Sequence, residues 1–235
     1  MVTMSALDRN AAGIAALTDP VRRALYRMVA AAPEPVSRDQ AADAVGIARH
    51  QAKFHLDKLE AEGLLESDYA RLTGRSGPGA GRTAKRYRRA PVDIEVSVPP
   101  RTYRLASQLM ADAIAEAAIS GAPVAEVLNR TAREFGIGVG QAAAGNHPAG
   151  DPAAALGLLT DALDGYGYEP QRRGDEVQLT NCPFHAVAQA QPELACAMSH
   201  ALISGAAQAL APHCPQAQLD PAPGRCCVVL SSAPD

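Results

Sequence analysis

All five cysteines of this 235-residue chain lie in its last 54 residues: Cys182, Cys196, Cys214, Cys226 and Cys227. Thiolates bind zinc and are the characteristic ligands of iron–sulfur clusters. The gaps between them are 13, 17, 11 and no residues. No Cys-x-x-Cys pair occurs, so the local knuckle of ordinary structural zinc sites is missing. Gaps this wide suit a site assembled in space from several elements. Asn181-Cys182-Pro183 is predicted where a strand meets a helix over Pro183–Ala209, and Cys196 lies about four turns along that helix. Cys214 falls in the following loop and Cys226/Cys227 on the last strand, where successive side chains face opposite ways and at most one of the pair ligates simply. Three readings follow from the residues alone: core thiols that only pack, a zinc site, or an iron–sulfur site. His185, three residues after Cys182, and His200, four after Cys196, are further candidate ligands, and Cys182 with His185 is the remote candidate for a thiol-dependent enzyme.

A second chemistry sits near the other end. From Arg71 to Arg89 there are seven Lys/Arg and no Asp or Glu. Upstream, Ser37 can N-cap a short helix with Gln40 as its capping-box partner, and Gly46 supplies the left-handed turn that ends it. Ala52, Leu56 and Leu59 then fall on one face of the next helix, with Leu64 and Leu65 closing the core. That leaves Arg49, His50, Gln51 and Lys53 around an exposed N-terminal part, where a recognition helix meets base edges. Strands over 64–72 and 84–89 flank a glycine-rich tip. There Arg75, Arg82, Lys85 and Arg86 are placed to contact phosphates or a narrow groove. No Gly-Lys-Ser/Thr follows the glycines, so the loop is not a nucleotide cradle.

The outline over roughly residues 10–90, including Asp19-Pro20-Val21-Arg22-Arg23-Ala24-Leu25-Tyr26, resembles the winged-helix half of ArsR/MarR-like bacterial repressors. From Thr18 to Leu230 the chain is similar to the SufR family, winged-helix repressors of iron–sulfur cluster assembly genes. The matching stretches are Asn181-Cys182-Pro183, Pro192-Glu193-Leu194-Ala195-Cys196, Cys214-Pro215 and Gly224-Arg225-Cys226. The resemblance implies a homodimer on a palindromic double-stranded DNA operator. It also implies an oxygen-labile [4Fe-4S] cluster held by Cys182, Cys196, Cys226 and Cys214, with Cys227 as the alternative fourth ligand, and a holo form that represses. Zinc is the alternative metal.

The elements that must position these groups are legible from composition. The net charge of −3 hides an asymmetry: residues 1–90 carry 15 Lys/Arg against 10 Asp/Glu, the remainder 7 against 15. A basic half suits an anionic polymer, and an acidic half stays off it. No membrane span or signal peptide is expected, which points to the cytoplasm, where thiols stay reduced. The predicted fold is mainly α, α+β: a winged helix-turn-helix domain (1–98), a helical linker or dimerisation segment (99–150) and a small α+β sensor domain (151–235). Ile94, Val96 and Val98 alternate as a short strand before Pro99-Pro100. Leu105, Leu109, Ala113 and Ala117 form a stripe suited to close helix packing, commonly against a partner subunit and nearly as readily within the chain. The expected function is a non-enzymatic DNA-binding regulator with a cysteine-ligated redox or iron–sulfur sensor. The alternative is a one-component repressor binding a small apolar ligand in its C-terminal domain.

Overall fold

The structure is a computed structural model describing residues 6–70, 83–145 and 149–232. It divides into two units, Met1–Val96 and Ser97–Asp235. The glycine-rich tip, with Arg75 and Arg82, lies outside the described residues.

The first unit runs α1 (Ala6–Ala16), α2 (Pro20–Ala31), β1 (Val36–Ser37), α3 (Arg38–Val45), α4 (Arg49–Ala61), β2 (Leu65–Ala70) and β3 (Ala84–Arg89). Helix α2 starts where Pro20, lacking an N–H, follows Asp19, whose carboxylate accepts from the Arg22 N–H at 2.9 Å. The capping box at α3 forms in both directions: Ser37 Oγ accepts from the Gln40 N–H, and Gln40 Oε1 accepts from the Ser37 N–H. Gly46, at φ +72°, ends α3 in the left-handed region and turns the chain into α4. Ala52, Leu56 and Leu59 of α4 are buried with Leu25 and Val29 of α2 and Ala41 and Ala42 of α3, and Tyr87 of the sheet joins this core. The sheet is antiparallel with order β1-β3-β2, and Leu65–Ala70 pairs in register with Arg89–Ala84.

The strand expected over Ile94–Val98 does not form. Ile94 leaves the extended register to pack on Gly13 of α1, the Glu95 carbonyl accepts from Asn10 Nδ2 at 2.8 Å, and Val98 is exposed. Helix α1 supplies these partners and was not anticipated.

The second unit contains α5 (Tyr103–Ser120), α6 (Val124–Ala144), α7 (Pro152–Gly165), β4 (Pro170–Arg173), β5 (Glu176–Leu179), α8 (His185–Ala190), α9 (Pro192–Gln208), β6 (Gln216–Leu219) and β7 (Val228–Ser231). Its antiparallel sheet has the order β4-β5-β7-β6. Helices α6 and α9 meet backbone to backbone. A methyl group on Gly136 would run into the Leu202 carbonyl, one on Gly140 into that of Ala206, and one on Gly205 into that of Arg133. Glycine lets the two axes approach this closely, and the gain is dense backbone contact.

That packing corrects the expected three-part division, because α5 and α6 belong to the same unit as the cysteine-bearing elements. It also decides between the two packings open to the stripe: Leu109, Ala113 and Ala117 are buried within the chain's own core, with Leu105 packed against it. The single helix expected over 183–209 is two, broken at Gln191, since Pro192 cannot donate to α8 and instead starts α9.

Candidate functional site

Two groups of residues carry chemistry, one in each unit. In the first, the capped turn leaves the start of α4 in solvent, with Arg49, His50, Gln51 and Lys53 all exposed. Arg49 Nε pairs with Asp39 Oδ1 at 2.6 Å, both side chains being more than half exposed. Gln51 has a local task that spacing alone did not show: its Oε1 accepts from the Ala48 N–H at 3.2 Å, as the third residue of a cap at the start of α4. The sequence reading passed over Phe54, which is 66 % exposed on the same helix.

The wing strands are less free than their basic run implied. Lys85 is only 13 % exposed, and its Nζ is held by Asp57 Oδ1 at 3.1 Å and by Glu60 Oε2, both from α4. The structure thus places Lys85 away from a phosphate contact and makes it a clamp between wing and recognition helix. Tyr87, buried below, donates to Asp57 Oδ1 at 2.5 Å and accepts from Arg38 Nε at 3.0 Å. Burial pulls against ionisation at Asp57 and Glu60, but bonds from Tyr87 and Lys85 to Asp57, and from Lys85 and Ser67 to Glu60, outweigh it and hold both below their usual range. Burial likewise opposes charge on Lys85, and its two carboxylate partners reverse that and raise it. Arg86 makes a bidentate pair with Asp68 across the strands, at 2.9 Å for each bond. Arg88 donates a single bond from Nε to Glu66 Oε1 at 2.5 Å further along the ladder, so the acids of β2 answer the bases of β3. Absence of acids within 71–89 says nothing about acids one strand away.

In the second unit the thiols converge unevenly. Asn181 and Arg101 fix the turn that carries Cys182. Asn181 Nδ2 donates to the carbonyls of Gly167 at 2.6 Å and Pro100 at 2.8 Å, its Oδ1 accepts from Arg101, and Arg101 also donates to the Cys182 carbonyl at 3.3 Å. The Cys182 thiol contacts that of Cys226, which contacts Cys227. Cys226 and Cys227 lie in the bend before β7 rather than on the strand, and both are buried, so the expected alternation of faces does not apply. Contact with Cys226, then burial, raises Cys182 far above the ordinary thiol range. For Cys226 the Cys182 contact acts downward, but Cys227 and burial prevail and push it up to about 11. Both shifts favour the neutral thiol over the thiolate.

Tyr168 completes the cluster. It is fully buried, its hydroxyl lies 2.9 Å from Ser199 Oγ, and burial followed by the neighbouring Cys226 raises its phenol well above normal. Cys196, half-buried against the same core, precedes Ser199 by three residues and so shares its side of α9. Cys214 does not join them. Its Sγ reaches the Gln208 carbonyl at the far end of α9, twelve residues and about 18 Å of helix from Cys196. His200 bonds the Ala217 carbonyl at 3.0 Å, and His185 is exposed. Among the described residues no group of three His, Cys, Asp or Glu is placed to hold a metal ion, and no helix is long and apolar enough to cross a membrane.

Residues 17–68 match a family described as a helix-turn-helix domain. No curated protein and no solved structure matches the chain. Together with the capped turn, the exposed basic helix and the flanking sheet, the family match supports a winged-helix DNA-binding transcriptional regulator.

Proposed function

We propose that the protein is a cytoplasmic, homodimeric repressor that binds a palindromic operator and senses iron–sulfur or redox status through the cysteines of its second unit. The observation that carries the sensing is the gathering of Cys182, Cys196, Cys226 and Cys227, from distant parts of the chain, in and against the one core that holds Tyr168. The donor chemistry of Cys182 and Cys226 fits two corners of a [4Fe-4S] cluster. Cys227, next to Cys226 in the chain, and Cys196, packed against the same core, are the further candidate donors, whereas Cys214 lies outside that core against the Gln208 carbonyl. When bound, such a cluster supplies a redox-labile crosslink among these elements. Asn181 and Arg101 hold the Cys182 turn in place, and α9 carries Cys196. A change at this point is felt along α9 and through the glycine contacts into α6.

The dimer is assigned to the outer side of α5. Ala111, Ile114, Ala115, Ala118 and Ile119 recur there at helical spacing, all exposed, with Ile119 at 90 %. An apolar stripe is self-complementary, as a two-fold interface requires. A two-fold dimer presents two recognition helices to successive major grooves about 34–36 Å apart. Ile114→Asp is expected to convert dimer to folded monomer in light scattering, and a retained dimer places the interface elsewhere.

Anaerobic reconstitution with iron and sulfide tests the sensing. A broad band near about 400 nm is expected, together with acid-labile sulfide. Cys182→Ser and Cys226→Ser should lose both signals, while Cys214→Ser keeps them. Stoichiometric zinc without sulfide would make the site a zinc centre. The ligand-binding alternative has its own observation, a groove of about 380 Å³ lined by Val139, Ala142, Leu158, Ala162 and Tyr166 between α6 and α7. A colourless protein whose operator affinity responds to an apolar small molecule would favour it.

A further inference from the structure

Phe54 is the one large apolar side chain on α4 outside the core, and its neighbours say what it faces. It lies two residues after buried Ala52 and two before buried Leu56. At about 100° per residue, both place it on the side of the helix opposite the core. His50, one turn earlier, and Lys53 stand beside it and are exposed. Asp57, one turn later, is the acid nearest the ring along the helix, and its carboxylate is engaged by Tyr87, Lys85 and Arg38. The ring's contact within its own unit is edge-on to the neighbouring His55, with centroids 5.2 Å apart. An apolar ring framed by cationic and neutral polar groups, with the local acid neutralised, is complementary to a surface that is anionic at its rims and carries methyl groups on its floor. The major groove is such a surface: thymine projects a 5-methyl group there, and Phe is among the side chains that contact it.

We infer that Phe54 is a specificity-determining residue that packs on a thymine 5-methyl group in the major groove. The inference rests on the DNA-binding reading above. On this helix the ring adds selection by shape and apolarity to the polar side chains of Arg49, His50, Gln51 and Lys53. Its site should contain an A·T pair in each half, oriented with the thymine methyl toward α4.

The experiment uses the full-length protein and duplexes selected by it from a randomised DNA library. Each thymine in the selected half-site is replaced in turn by deoxyuridine, which removes only the methyl group. One replacement should weaken wild-type binding about fourfold, the value of burying one methyl-sized group. Phe54→Ala should bind the thymine duplex about as weakly as wild type binds the uracil one, and should not distinguish the two. Phe54→Leu, which keeps an apolar side chain, should retain part of the discrimination. All three proteins should bind a random duplex equally, because phosphate contacts are untouched. Equal wild-type affinity at every thymine and uracil, or a thymine preference surviving in Phe54→Ala, would overturn the assignment. So would loss of the dimer in Phe54→Ala with the preference intact, which makes the ring a protein contact. Failure of the wild type to bind any duplex would instead defeat the DNA-binding reading itself, and a normal random-duplex affinity tells the two failures apart.

Discussion

The two units solve the same problem, holding a functional element at a fixed place, by opposite means. In the first, the recognition helix is tied to the wing by charge: Asp57 and Glu60 of α4 grip Lys85, with Tyr87 and Arg38 beneath. In the second, the cysteine-bearing α9 is fixed to α6 by glycine-mediated backbone contact, with hardly a polar group between them. Ionic ties among part-exposed groups with several alternative partners can be rearranged, so the wing can shift on its helix. Close packing tolerates little change of volume, so α9 and α6 are held as one stiff pair. The contrast teaches that adaptability is placed on the DNA-facing side and stiffness beside the thiols.

The largest effect that would break this comparison is expected at Gly136. A Gly136→Val side chain must displace the Leu202 backbone, and overpacking against backbone that cannot yield should cost about 3 kcal/mol, the upper end of such penalties. Thermal unfolding of the full chain should then show the second unit melting early while the first keeps its transition. Coincident loss of both would mean that the units do not unfold separately.

Next comes Lys85→Met, which leaves Glu60 without its cation and Asp57 with Arg38 and Tyr87 only. A loss of about 1–2 kcal/mol in the first unit is expected, below the buried-pair penalty because Asp57 keeps 38 % exposure. The salt dependence of DNA affinity should be unchanged. A slope smaller by about one would return Lys85 to the phosphates.

The two units should also respond to opposite ends of the pH scale. Asp57 and Glu60 are depressed in the folded chain, so their contribution is present above the ordinary carboxylate range and lost as pH falls through it. The thiols are already neutral there and contribute nothing to that loss. Cys226 is raised, so its contribution is present below the ordinary thiol range and is lost as pH climbs towards about 11. Differential scanning calorimetry across pH should therefore show the first unit weakening in acid and the second weakening first in alkali. The acid effect should shrink in Lys85→Met without vanishing, since Tyr87 and Arg38 still hold Asp57 and Ser67 still holds Glu60.

The smallest effect is expected at Arg86. Removing the part-buried cross-strand pair in Arg86→Ala should change the stability of the first unit by less than about 1 kcal/mol. A larger loss measured by urea unfolding would show that the ladder of charge pairs, rather than the clamp at Lys85, holds the wing.

Much of the first unit was legible because its signals are local. Ser37 with Gln40, Gly46 at the turn, and the spacing of Ala52, Leu56 and Leu59 each act within a few residues of the chain. The same local spacing held enough to find Phe54, since a residue two places from both Ala52 and Leu56 cannot face the core. The pairing of Lys85 was hidden for the opposite reason. Its partners lie 25 and 28 positions away on another element, and a run of bases in one strand does not reveal the acids that face it.

By itself the sequence determined the helix-turn-helix, the alternation of helices and strands in the second unit, and the gathering of every cysteine there. Tertiary structure alone decided which thiols meet. Cys182 and Cys226 are 44 positions apart and touch because Asn181 anchors one turn and the bend before β7 delivers the other. Cys214, nearer to Cys226 in the chain, is carried off by the length of α9. It was likewise the tertiary structure that turned the stripe Leu109, Ala113 and Ala117 inward and left Ile114 and Ile119 outside. Helical periodicity gives a face its apolar character, but only the packing of α5 beside α6 decides which of two apolar faces is covered.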